Sequence, residues 1–177
     1  MTMAKWIIDP DHSVAAFTVR HMMVSNVRGQ FNKLSGTIQF DPADSAHSSV
    51  EAEIVVEGIW TGIQKRDEHL LSPDFFDVAK YPRIFFRSSG VEASAGNRFR
   101  IMGDLTIRGV TRRVTLEAEY FGPVKGTDEE TSVGFAASAR ISREDYGITW
   151  NVSLSDGGVV VGREIQITLD IEADLAG

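Results

Sequence analysis

Apolar and polar residues alternate with period two along most of this chain, and that pattern constrains the fold more than any other feature. One such stretch, REIQITLDIEA at residues 163–173, places Ile165, Ile167 and Leu169 on one face and polar residues on the other. Three further stretches repeat the pattern: SVEAEIVVEG (49–58), RFRIMGDLTIRG (98–109) and RRVTLEAEYFG (112–122). Successive side chains of a strand point to opposite faces, so each stretch predicts a strand with one buried and one solvated face. Such strands are typical of antiparallel sheets.

Weaker alternation predicts four more strands, which gives about eight in all. These strands lie within residues 13–21, 28–41, 83–90 and 131–142. About eight one-sided antiparallel strands form a sandwich or a closed barrel, and a barrel of that size is either filled by side chains or holds one small ligand. The inward positions mix small and large residues, so both outcomes stay open: Ala52, Gly103, Ala118, Ala137 and Ala139 stand beside Phe17, Phe31, Phe99 and Phe135.

Length, charge and composition exclude several classes of protein. The 177 residues fit one domain, residues 1–177. A net charge of −7 disfavours nucleic acid as a partner, because binding phosphates needs a basic surface. The chain has no cysteine, which excludes disulfides and thiolate chemistry. We find neither a signal-peptide core nor an integral membrane segment, so we expect a cytoplasmic protein, or a periplasmic one if the native start differs.

Residues 64–82 break the strand pattern with helix-forming and aromatic residues. We predict a first helical piece from Gln64 to Leu71 and a second one that starts at Ser72, with Pro73 in its first turn. We expect residues 66–82 to be a lid on one mouth of the barrel, with Phe75 and Phe76 turned toward the lumen. The alternative is a packed crossover connection. We call residues 66–82 the lid segment.

Four segments together resemble the YceI-like family, whose members form lipocalin-like antiparallel barrels and bind polyisoprenoid chains. They are DPDHSVAAFTVRHMMVSNVRGQF, RDEHLLSPDFFDVAKYPRIFFRSS, GDLTIRGVTRRV and ISREDYGI, and they occur in the family's order. The family pattern falls on His12, Ser13, Phe17, His21, Gly29, Phe31, Arg66, Asp67, Leu70, Phe75, Phe76, Tyr81, Pro82, Leu105, Gly109, Arg143, Tyr146 and Gly147. Two departures are the missing secretory signal and Arg163, where relatives more often have an acid.

The resemblance implies a lipocalin-like barrel that binds or carries a long-chain isoprenoid, such as a quinone or prenyl precursor, without catalysis and without a cofactor. It also implies a homodimer. We expect apolar residues of the lumen to meet the chain of the ligand and polar residues near the mouth to meet its head group. The predicted ligand-binding residues are Phe17, Val19, His21, Phe31, Trp60, Arg66, Asp67, Phe75, Phe76, Phe86, Phe99, Leu105, Phe135 and Arg143.

Two other functions remain open. An enzyme on the same barrel would use His21 or His69 with Asp67 as an acid–base pair on a bound lipid. A stress or interaction module without lipid would have a filled barrel and make its contacts through the outer surface.

We expect no metal site, because the four histidines show no spacing typical of metal ligands. We expect Arg66 and Asp67 to pin the lid segment to the rim of the barrel.

Overall fold

The computed structural model of the protein describes residues 3–177 and is a closed antiparallel β-barrel with one short α-helix in that range. The predicted all-β, eight-stranded, lipocalin-like barrel is confirmed. The strands are β1 (Lys5–Ile8), β2 (Val14–His21), β3 (Ser25–Phe31), β4 (Leu34–Gln39), β5 (Ser49–Val55), β6 (Ile59–Trp60), β7 (Arg83–Ala93), β8 (Arg98–Ile107), β9 (Val110–Lys125), β10 (Thr131–Ser142) and β11 (Val161–Leu175), and the helix is α1 (Gln64–Leu71).

The eleven strands occupy eight positions around the barrel, because three of these positions each contain two short strands that follow one another in the chain. A 3₁₀ turn at Pro10–His12 separates β1 from β2, two residues separate β3 from β4, and a 3₁₀ turn at Val56–Gly58 separates β5 from β6. The pairing register shows that each couple acts as one broken strand, since β1 pairs with β4 while β2 pairs with β3. Strand β11 closes the barrel because it pairs with β10 on one side and with both β1 and β2 on the other.

The two ends of the barrel are closed differently. At one end, which we call the aromatic end, the ring of Phe40 contacts those of Phe99, Tyr120 and Phe135 at centroid distances of 5.0, 4.9 and 5.3 Å. At the other end, which we call the helix end, α1 and the lid segment connect β6 to β7. The buried residues form one cluster around Phe40 and a second one around Phe75.

The lid segment confirms the first predicted helical piece and corrects the second. Helix α1 spans Gln64–Leu71 as predicted, but residues 72–80 form successive turns. Asp77 has a φ of 52° and its amide donates to the carbonyl of Ser72, so the chain folds back on the end of α1. On a continuous helix the side chains of Phe75 and Phe76 would point about 100° apart around the helix axis. The turns instead bring both Phe75 and Phe76 against the lumen.

Candidate functional site

The lumen holds a cavity of about 240 Å³. Carbon atoms form almost the whole of its wall, and inward-facing side chains from all eight barrel positions contribute to it. The sequence left a filled core and a ligand cavity open, and the structure has the cavity. A filled barrel, the premise of the lipid-free interaction module, is therefore not what the chain forms.

Most of the predicted ligand-binding residues line this cavity. They are Phe17, Val19, Phe31, Phe75, Phe76, Phe86, Phe99, Leu105, Phe135 and Arg143. Aliphatic residues that were not among the predicted ligand-binding residues complete the wall, among them Ile84, Ile101, Val114, Leu116, Ile165 and Leu169. Most of these residues share the inward face of the alternating stretches with the predicted ligand-binding residues, so the same period-two signal could have placed them in the wall.

Two glycines make room for aromatic rings along the wall. A Cβ atom at Gly29 would overlap the ring of Phe17, and one at Gly103 would overlap the ring of Phe86. The two rings therefore pack directly on the backbone of the neighbouring strands. Gly103 was among the small inward positions noted in the sequence.

Four of the predicted residues lie outside the cavity wall: His21, Trp60, Arg66 and Asp67. His21 is the last residue of β2, at the rim, and Trp60 is 56% exposed. The side chains of Arg66 and Asp67 both bind Thr61, directly after β6. Arg66 donates to the hydroxyl of Thr61 at 2.8 Å and to the carbonyl of Thr61 at 2.7 Å. Asp67 accepts from the amide of Thr61 at 2.9 Å and from the hydroxyl of Thr61. The two side chains thus hold α1 at the rim.

The aromatic residues of the lid segment cover the helix end. The ring of Phe76 meets Phe31 of the barrel wall edge-on at 5.7 Å. Phe75 is buried and packs at 5.4 Å on Trp150, which belongs to the loop between β10 and β11. Arg108, in the turn between β8 and β9, donates hydrogen bonds to the carbonyls of Pro73 and Gly147 at 2.9 and 3.0 Å. These contacts join the lid segment and the loop into one cover.

Arg143 anchors the loop part of this cover. Its guanidinium is buried and donates to four carbonyls at both ends of the loop, those of Ile148, Trp150, Val161 and Gly162, at 2.8–3.2 Å. Burial is the main cause that lowers the pKa of Arg143 from its ordinary value. Since the cation is held by main-chain oxygens, it contributes little polar surface to the cavity.

Tyr146 is the second polar side chain in the wall at the helix end. It is 1% exposed, and its hydroxyl has no hydrogen-bond partner within residues 3–177. Burial raises the pKa of Tyr146 to about 12, so the phenol stays neutral at physiological pH. Among the residues that the structure describes, the cavity wall is therefore almost wholly apolar and its one cation, Arg143, is held by main-chain carbonyls.

The histidines do not form the acid–base pair of the enzyme alternative. His21 does not line the cavity. His69 lies 2.9 Å from Asp74, not from Asp67, and both side chains are partly exposed outside the lumen. The imidazole of His69 also meets the rings of Phe75 and Trp150 edge-on at 5.0 and 4.9 Å. These contacts place it in the cover of the helix end.

A cluster of Asp9, His12 and Glu172 lies on the outer surface, and sequence reasoning did not find it. One ligand atom from each residue lies within 4.8 Å of the others, and His12 Nδ1 is 2.7 Å from Asp9. The hydrogen bond between them lowers the pKa of Asp9 and raises that of His12. Glu172 is distant in sequence, so no local spacing could have revealed the cluster.

None of the helices that the structure describes has the length and apolar character needed to cross a bilayer.

Comparison with known proteins agrees with the barrel and with the sequence segments. The profile described as "YceI-like domain" matches residues 6–173. A UPF0312 protein of Staphylococcus aureus is 32% identical over 175 residues, which cover 98% of this chain and 99% of that protein. The crystal structure of the Campylobacter jejuni YCEI protein is 33% identical, has a TM-score of 0.73 and covers 89% of this chain and 90% of its own.

One further solved structure shares the fold at low sequence identity. It is described as a polyisoprenoid binding domain from Saccharophagus degradans, with 14% identity and a TM-score of 0.70 over 98% of this chain and 99% of its own. At that identity the likeness concerns the fold alone. The family match over nearly the whole chain, together with the relatives above 30% identity, identifies the chain as a member of the YceI-like family.

Proposed function

We propose that this protein binds and carries a polyisoprenoid, such as a quinone or a prenyl precursor, in the lumen of its barrel. The observation that carries the proposal is the cavity with an apolar wall in the lumen, beneath the lid segment. A methyl-branched chain gains about 0.8 kcal/mol for each CH₂ that it buries, so such a wall supplies affinity without directional contacts. The family resemblance and the description of the Saccharophagus degradans domain support the same ligand class.

The chain of the ligand would occupy the lumen and its head group would stay at or beyond the helix end. Arg143 is held by four carbonyls and Tyr146 is buried and neutral, so the interior has no free charge for a quinone or phosphate head. The volume of about 240 Å³ is below the roughly 300–1,000 Å³ of most ligand pockets. We therefore expect a long chain to displace the cover at the helix end or to project past it.

The experiment that tests the proposal is organic extraction of freshly purified protein, followed by mass spectrometry and by uptake of added polyprenol. We expect a co-purifying prenyl lipid or saturable uptake. Repeated absence of both would contradict the proposal.

Two neighbouring alanines of β10 provide a matched pair of variants. Ala137 lines the cavity, whereas Ala136 is on the opposite face, between Glu119 and Asp170 of the adjacent strands. Ala137→Phe should fill the cavity and abolish uptake at a stability cost of about 1–3 kcal/mol. Ala136→Phe should leave uptake unchanged. Equal uptake by both variants would place the ligand outside the lumen.

A non-catalytic role is part of the proposal, and it rests on the positions of the histidines outside the cavity wall. The homodimer and the cytoplasmic location stay predictions. Light scattering during size-exclusion chromatography tests the first, and fractionation of the native host tests the second.

A further inference from the structure

We propose that the turn between β2 and β3 docks the protein on an anionic lipid bilayer. The turn consists of Met22, Met23 and Val24, which we call the hairpin tip. The inference concerns the outer surface and goes beyond ligand binding in the lumen. It rests on the exposure, charge and position of the tip.

The hairpin tip exposes three consecutive apolar side chains. Met22, Met23 and Val24 are 44%, 56% and 79% exposed. Met22 and Met23 have φ angles of 50° and 64°, in the left-handed region where turns normally place glycine or asparagine. The turn geometry therefore does not explain the methionines, and their apolar side chains need another reason. Val152 of the neighbouring loop, 48% exposed, extends the apolar surface. The amide of Met22 donates to the carbonyl of Val160 at 2.8 Å, and the amide of Val160 donates to the carbonyl of Val152 at 3.0 Å.

The hairpin is locally basic although the protein is acidic. Between Ser13 and Phe40 the sequence contains no Asp or Glu, whereas the whole chain carries −7. Arg20 and Arg28 are exposed on the outer face of the hairpin, where Arg20 lies opposite Asn26 and Arg28 lies opposite Thr18. Within residues 3–177 neither arginine has a carboxylate within ion-pair distance. Their charges are thus available to a partner.

The hairpin tip projects from the helix end of the barrel. Strand β3 pairs with β6 only through Gln30 and Phe31, so residues 25–29 extend beyond β6. The pairing of His21 with Val161 places the tip at the same end as the loop that carries Trp150. A bilayer that receives the tip would therefore face the cover of the lumen.

Exposed apolar side chains flanked by arginines fit a surface with anionic head groups above an apolar interior. An anionic bilayer has both, and this combination of a small apolar insertion with basic residues is typical of interfacial binding. Three residues are too small an area for a stable interface between two copies, which buries about 1,200–2,000 Å². The neighbouring loop carries three exposed acids, Glu144, Asp145 and Asp156, which oppose binding to anionic lipid. Glu144 is paired with Arg163 at 3.1 Å, and Asp156 lies in the turn whose Gly158 is beside Met23.

The test is flotation of the full chain with two kinds of vesicle, phosphatidylcholine alone and an equal mixture of phosphatidylcholine and phosphatidylglycerol. We expect binding to the anionic vesicles that weakens severalfold at high salt. Met23→Ser with Val24→Ser should lower the partition coefficient about tenfold or more. Arg20→Gln with Arg28→Gln should also lower it, and Asp156→Asn should raise it. Circular dichroism of each variant checks that the barrel is intact.

The matched control is at the aromatic end, where Phe121 and Val124 are 49% and 64% exposed and precede the acidic loop residues 128–130. Phe121→Ser with Val124→Ser should leave vesicle binding unchanged. The proposal is overturned if the unmodified protein floats with neither vesicle, or if the control variant loses binding as much as the tip variant. It is also overturned if the tip variant only converts a dimer to a monomer, which would make the hairpin a contact between two copies.

Discussion

The two ends of the barrel are closed by different means. At the aromatic end the rings that close the lumen, those of Phe99, Tyr120 and Phe135, belong to the barrel strands, and Phe40 directly follows β4. At the helix end the cover consists of the lid segment and a loop, held by side chains such as Arg143 and Arg108. Moving that cover breaks no pairing between strands, whereas opening the aromatic end would require the wall itself to move. The helix end is thus the end at which a ligand can enter at the lower cost.

One of the two largest effects should come from Arg143→Met, which removes the anchor of the loop at the helix end. The substitution removes a buried donor from four carbonyls, of which only that of Val161 is also bound by the side-chain amide of Asn151, so we expect a loss of about 3–5 kcal/mol in the free energy of unfolding. The matched control is Arg140→Met, because Arg140 is 70% exposed and lies 3.8 Å from Glu164. It should cost less than about 1 kcal/mol. Urea denaturation measures both, and similar losses would contradict the role of Arg143 as an anchor.

A pair of phenylalanine truncations compares the two ends directly. Phe40→Ala at the aromatic end should cost about 3–5 kcal/mol, because Phe40 is buried among three rings. Phe76→Ala at the helix end should cost less, because Phe76 is only partly buried. Phe76→Ala should nevertheless reduce the amount of retained lipid more than Phe40→Ala does. Denaturation and lipid analysis of both variants check this, and a Phe76→Ala variant that loses neither stability nor lipid would show that the lid segment is only a surface connection.

Two glycines with positive φ give a smaller contrast between the ends. A Cβ at Gly109 would lie 2.7 Å from the ring of Tyr81 in the lid segment, at a φ of 72°. Gly96 is in the turn between β7 and β8 at the aromatic end, with a φ of 59° and no atom within 4 Å of a Cβ. Both alanine variants share the backbone strain of about 1 kcal/mol or more. We expect Gly109→Ala to cost more and to raise lipid exchange, as thermal unfolding and uptake rates can show.

The smallest expected effect is a pH dependence at the Asp9–His12 pair, on the outside between the two ends. The hydrogen bond raises the pKa of His12. The stability that protonated His12 adds to the fold is therefore present below the ordinary pKa of 6.5 and is lost as the pH rises through the raised pKa. The pKa of Asp9 is lowered. The stability that its carboxylate adds to the fold is therefore present above the ordinary pKa of 3.8 and is lost as the pH falls through the lowered pKa. NMR titration should show the pKa of His12 fall in Asp9→Asn, and an unchanged value would contradict the pairing.

The sequence predicted the barrel and most of its lining because burial on one face imposes period two on long strands. The same signal fails where strands are short or end. Strand β6 has two residues, so alternation could not assign Trp60 to a face, and the structure exposes it. His21 shares the inward face of Phe17 and Val19, but it is the last residue of β2 and lies beyond the cavity wall.

Features that depend on contacts distant in sequence could not be predicted. Ser72-Pro73 is a good start for a helix, but packing of two adjacent rings against the lumen overrides that preference and produces turns. Arg143 was predicted to meet a head group, and no residue pattern indicated that its four acceptors would be main-chain carbonyls. The cavity itself depends on how side chains from all eight barrel positions meet.

The most direct test of the central claim, that an apolar chain occupies the lumen, is an isotope-filtered NOE experiment. The protein would carry ¹³C-labelled alanine methyl groups, and the added polyprenol would be unlabelled. Ala137 faces the cavity and Ala136 faces outward from the same strand. We predict intermolecular NOEs to the methyl group of Ala137 and none to that of Ala136. NOEs to Ala136 alone, or no NOEs at saturating polyprenol, would contradict the account.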